Sequence, residues 1–116
     1  MKVNLVSRCQ SYFSTIHMAG ALSEALPVIQ QFVLKGACVQ VTECEYVYTG
    51  GREKGFTARI LAYPRFPKAD ATIFMEARQL GELLLDTLGQ MSFSIETPRE
   101  TVYFEREGAV KPGAPK

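Results

Sequence analysis

The sequence predicts a small α+β domain of the split βαβ, ferredoxin-like kind, and three observations carry that prediction. Apolar and polar residues alternate in five short runs, two stretches have helical spacing, and their order along the chain is β-α-β-β-α-β with one further strand. Both helical stretches close on a glycine, Gly36 and Gly89, the residue that most readily turns the chain past a helix end. With 116 residues there is material for one core and not for two. The expected layout is a single ferredoxin-like domain over residues 1–106 and a disordered tail over 107–116, where Gly108, Pro112, Gly113 and Pro115 cluster.

Taken in order, Lys2 to Ser7 reads as the first strand, with Val3 and Leu5 on one face and Asn4 and Val6 on the other. A polar loop is expected from Arg8 to about Ser14. Leu22, Ala25, Leu26, Ile29, Phe32 and Val33 have the spacing of one helix face. Pro27 interrupts that helix, so either regular helix begins near it or Ser23 caps an earlier turn and the helix is kinked. Ala37 to Tyr48 reads as a long strand, Val39, Val41 and Val47 alternating with Gln40, Thr42, Tyr46 and Tyr48. Thr49 to Gly55 is a glycine-rich connection, and Phe56 to Tyr63 is the return strand, with Phe56, Ala58, Ile60 and Ala62 on one face. Pro64 to Lys68 breaks the strand. A second helix, capped by Asp70 or Thr72, carries Ile73, Phe74, Ala77, Leu80, Leu84 and Leu88 inward. Met91, Phe93 and Ile95 mark a fourth strand, and Pro98-Arg99-Glu100 turns it into a last strand, Thr101 to Glu105.

Both helices of this plan cover one face of an antiparallel sheet, leaving the other open. Val6, Tyr46, Tyr48, Leu61 and Tyr63 are expected on that second face, an apolar and aromatic surface best satisfied by oligomerisation.

Composition narrows the function classes. Thirteen basic against twelve acidic residues give a net charge of +1, without the basic stripe of a nucleic-acid binder. No apolar run is long enough to span a membrane, and the first residues lack a secretory h-region, so a cytoplasmic protein is expected. Cys9, Cys38 and Cys44 have no metal-site spacing, and His17 has no second imidazole to pair with. The three thiols read as buried or half-buried groups in a reducing compartment.

The segment richest in chemistry runs from Glu43 to Phe56. Its three glycines allow close backbone approach to a ligand, and Tyr48 and Glu53 flank the turn. Without a ligand the same residues form a mobile hairpin tip of solvated charges. No Gly-Lys-Ser/Thr closes a phosphate loop, and no glycine fingerprint joins a strand to a helix.

Leu5-Val6-Ser7, then Val39 to Glu43 followed by Tyr48, then Glu53, then Gln90 recur together in an order that resembles the phage-encoded S-adenosylmethionine (SAM) lyases, formerly called SAM hydrolases. The resemblance covers roughly residues 3–104 through short, separated motifs. It implies a trimeric protein of PII-like, ferredoxin-like fold with active sites between subunits. The implied reaction cleaves SAM into methylthioadenosine and homoserine lactone, the substrate's own carboxylate attacking Cγ. SAM is then a small-molecule substrate, and no cofactor or metal is expected. By the same resemblance Glu53 and Tyr48 are the catalytic candidates, and Ser7, Tyr46 and Gln90 the substrate-binding ones. Two other classes remain open: a non-catalytic PII-like binder of adenine nucleotides, and a small phage anti-defence protein acting by contact.

Overall fold

The computed structural model describes residues 1–108, and the expected tail beyond Gly108 lies outside the described residues. Five strands and two helices follow one another as β1 (Phe13–Ala19), α1 (Leu22–Phe32), β2 (Cys38–Tyr48), β3 (Gly51–Leu61), α2 (Asp70–Leu88), β4 (Ser92–Glu96) and β5 (Thr101–Glu105). The strands form one sheet in the order β2-β3-β1-β4-β5, every neighbouring pair antiparallel. This is the strand order of the split βαβ plan, with the fifth strand added outside β4.

The period of two along the strands decides which side is covered. Ile16 and Met18 of β1, Phe56, Ala58 and Ile60 of β3, and Phe93 and Ile95 of β4 are buried against Ala25, Ile29 and Phe32 of α1 and Ile73, Ala77, Leu80, Leu84 and Leu85 of α2. Both helices therefore lie on one side. The alternate residues, including His17, Tyr46, Glu53, Ser94 and Tyr103, share the other. No helix among the described residues is long and apolar enough to cross a membrane.

The first strand is displaced from its expected place. Lys2 to Ser7 has no strand partner, and Val3, Leu5 and Val6 are exposed. The central strand is instead Phe13–Ala19, which includes part of the expected polar loop. A strand between β3 and β4 must bury one whole face, and Ser14, Ile16 and Met18 do so. Ser14 disguises the pattern, because its hydroxyl is fully buried without a hydrogen-bond partner. Val6 consequently lies off the open sheet face, and Tyr63 lies beyond the end of β3 in a turn closed by the Phe66 amide donating to its carbonyl.

The remaining elements sit close to their expected places. Helix α1 starts five residues before Pro27 and takes Ala21, not Ser23, as its N-cap, continuing through a 3-10 turn, Val33–Lys35, to Gly36. Neither Asp70 nor Thr72 caps α2. Ala69 occupies that position, and Asp70, in the first turn, pairs with Arg99 from the β4–β5 connection. Gly89 ends α2 in the left-handed conformation. The β4–β5 turn is closed by Thr97, whose hydroxyl donates to the Glu100 carbonyl and accepts from the amides of Arg99 and Glu100. Lys68 ties the segment before α2 to the end of the first helical stretch, donating to the Gly36 carbonyl at 2.6 Å and to both Glu76 carboxylate oxygens.

The glycine-rich connection is also shorter than expected. Strand β3 begins at Gly51, so only Thr49 and Gly50 turn the chain, Gly50 at φ 88°. Glu53 therefore stands within a strand, directly opposite Tyr46, and not in a loop. Cross-strand pairing satisfies the backbone as far as Gly51, which a floppy tip would leave to water.

Candidate functional site

Strand register gathers the site. On the open face, Tyr46 is opposite Glu53, and Tyr48 is opposite Gly51 at the base of the turn. The same face carries His17 beside Ser94, and Ser94 beside Tyr103. At this end of the sheet the turn from α2 into β4 brings in Gln90. These residues line one concavity of about 930 Å³, with Tyr46, Tyr48, Thr49 and Glu53 on the hairpin side and Gln90, Met91, Ser92, Ser94 and Tyr103 facing them. That volume falls in the range of small-molecule sites.

Gln90 is fixed from below. Arg106, just past β5, donates through Nε and Nη2 to the Gln90 carbonyl at 3.3 and 3.2 Å, and through Nη2 to the Leu85 carbonyl at 3.1 Å. The Gln90 amide donates to the Leu85 carbonyl, and the Arg106 amide donates to the Met91 carbonyl. The guanidinium thereby satisfies carbonyls at the helix C-terminus, where a cation is also favoured by the helix dipole. The Gln90 side chain lies against Gly20, the residue that follows β1.

Tyr46 lies across the sheet. Its hydroxyl donates to the Phe56 carbonyl at 3.1 Å and is 3.0 Å from His17 Nδ1, and the two rings meet edge to face. The other ring nitrogen of His17 is 2.8 Å from Glu96 Oε1. Burial, reinforced by neighbouring Cys44, pushes the Tyr46 phenol far above the ordinary tyrosine range. It therefore keeps its hydrogen and acts as a fixed donor, not as a base.

Of the sequence-derived candidates, Tyr46, Tyr48, Glu53 and Gln90 come together around this concavity. Ser7 does not line it, because the arm preceding Tyr12 makes no strand pairing. Tyr48 and Glu53 are exposed, so within one chain this side of the concavity is open to water. Sequence reasoning missed His17, Glu96 and Tyr103. A usable signal existed for the first, since His17 occupies an outward position in the run Ser14, Ile16, Met18, which faces inward. Cys38 and Cys44 lie on one face of β2, as their even spacing requires, and all three cysteines are free and half-buried. Among the described residues no group of three His, Cys, Asp or Glu side chains converges as a metal site.

No protein-family model and no curated sequence matches the chain. Among solved structures, a phage SAM lyase in complex with S-methyl-5′-thioadenosine superposes with a TM-score of 0.60 at 12% sequence identity, covering 92% of this chain and 100% of that one. A phage SAM lyase in the apo state superposes with a TM-score of 0.55 at 14% identity, with the same coverage. This small α+β chain, a five-stranded antiparallel sheet with two helices on one side, thus has the fold of the phage SAM lyases.

Proposed function

We propose that this protein is a SAM lyase that forms methylthioadenosine and homoserine lactone. The observation that carries the reading is the gathering of Tyr46, Tyr48, Glu53 and Gln90 around one concavity on a fold shared with SAM lyases, one of them bound to methylthioadenosine.

In this reading the substrate carboxylate attacks Cγ, the Cγ–S bond breaks, and its electron pair neutralises the sulfonium. A cation and an anion within one molecule are consumed, so charge separation falls on the way to the transition state. A site shielded from water favours that change, and holding the carboxylate against Cγ supplies much of the remaining acceleration. A protein carboxylate placed on the sulfonium would stabilise the reactant and slow the step. Glu53 is accordingly assigned to the substrate ammonium, with the Tyr48 hydroxyl beside it, and Tyr46 and Gln90 hold the rest of the ligand.

Glu53 and Tyr48 are exposed in the single chain, and a shielded site needs a cover. The reading therefore includes a homotrimer associated through the open sheet face, with each site completed by a neighbouring copy. In such an assembly Ser7 keeps a place in the site only when contributed by the neighbouring copy.

Incubating the purified protein with SAM and separating the products tests the proposal. Methylthioadenosine and homoserine lactone support it. Binding without turnover indicates a nucleotide-sensing protein, and neither binding nor turnover indicates a protein that acts by contact.

A further inference from the structure

Three strands contribute to a polar chain in which Tyr46 is joined to two residues, His17 and Glu96, that the proposed reaction does not use. His17 of β1 meets Tyr46 of β2 through Nδ1 at 3.0 Å and Glu96 of β4 through Nε2 at 2.8 Å. The phenol also donates to the Phe56 carbonyl at 3.1 Å, so its oxygen is held between β3 and the imidazole. An ionised carboxylate only accepts, so Nε2 donates to Glu96. Both ring nitrogens are engaged within the protein.

What this chain does is fix a ring. Strand β3 runs between Tyr46 and His17, and the phenol crosses it at Gly55. A Cβ on Gly55 would lie 2.5 Å from the Tyr46 ring and 2.5 Å from the Met18 carbonyl oxygen. His17 and Tyr46 both line the concavity, whereas Glu96 stands behind the imidazole and does not. We propose that His17, backed by Glu96, is a positioning residue that holds Tyr46 as the floor of the site and so governs how tightly the ligand is held. The inference rests on the SAM reading for the identity of that ligand, but not for the hydrogen-bond chain itself.

Two readouts test it. The protein has one histidine, so its imidazole is observed alone by NMR. Its Nε2–H, held by the Glu96 carboxylate, is expected as a slowly exchanging signal. Tyr46→Phe should shift the Nδ1 resonance, and Glu96→Gln should speed exchange of the Nε2–H. A ring exchanging freely with water, or signals that neither substitution alters, would overturn the proposal. In SAM turnover, His17→Gln should raise KM about tenfold with kcat within about threefold, the pattern of lost uniform binding. His17→Asn, which keeps an amide near the place of Nδ1, should recover most of that loss. An unchanged KM, or a fall confined to kcat, contradicts the proposal. Wild-type protein that leaves SAM intact would reject the lyase reading, and the imidazole signals alone would then decide the role of His17.

Discussion

The Tyr46 ring reaches His17 by passing directly over Gly55, at a point where a single added Cβ would lie 2.5 Å from the ring. One missing side chain on β3 thus connects β2 to β1 across an intervening strand, with the hydroxyl and Nδ1 3.0 Å apart. The contact belongs to the lining of the candidate site, so backbone composition and site geometry are linked at this residue.

Gly55→Ala should therefore be far more costly than an ordinary strand substitution. The collision includes the Met18 carbonyl oxygen, which is backbone and cannot swing aside. A loss of about 1–3 kcal/mol is expected from overpacking, together with displacement of Tyr46. Urea unfolding monitors the first and the His17 ring signals the second. Wild-type stability with an unaltered imidazole would show that the crossing is not tight.

Tyr46 should resist ionisation. Its phenol is raised, chiefly by burial and then by Cys44, whereas the unfolded chain returns it to the ordinary value near about 10. Above that pH the unfolded state loses a proton that the native state retains. Native stability therefore falls as pH rises, and this contribution is fully present only below about pH 10. Ultraviolet titration of the five tyrosines checks it. The folded wild type and Tyr46→Phe should show equal phenolate amplitude at about pH 11. A smaller amplitude in Tyr46→Phe would mean that Tyr46 titrates with the others.

Glu53→Gln preserves size while removing the charge-assisted partner of the substrate ammonium. Such a hydrogen bond contributes about 1.5–3 kcal/mol, or roughly ten- to a hundredfold in kcat/KM. As an exposed strand residue, Glu53 should contribute no more than about 0.5 kcal/mol to stability. Steady-state kinetics on the folded variant separate the two effects. Wild-type turnover would remove Glu53 from the site.

Assembly is a separate expectation. Exposed Tyr48 and Tyr103 border the concavity on the uncovered side of the sheet, and the reading requires that side to be covered. Light scattering at micromolar concentration should give three times the 12.9 kDa chain mass. A mass equal to one chain would remove the interfacial site.

Much of the fold was legible because burial writes itself as periodicity. Phe56, Ala58 and Ile60 alternate without interruption, and all three are fully buried. Gly36 and Gly89 mark the ends of the two helical stretches as expected, each at positive φ. The first strand was misplaced because Ser14 sits in the core and His17 faces outward within a run that otherwise carries the signal. Val3, Leu5 and Val6 gave a cleaner alternation although nothing covers them. The glycines around Glu53 suggested a loop, whereas two of them lie in β3 and one of those serves a side-chain crossing. The chain from Tyr46 through His17 to Glu96 was illegible in a stronger sense. Its partners are 29 and 79 residues apart, and only the strand order brings them together.

Product analysis after brief incubation with SAM in ¹⁸O-water tests the central claim most directly. The account predicts methylthioadenosine and homoserine lactone as first products, with no solvent oxygen on Cγ, because the substrate's own carboxylate is the nucleophile. Any homoserine formed later should carry label in its carboxyl group, from opening of the lactone. Unconverted SAM, or early homoserine with label on Cγ, would contradict the account.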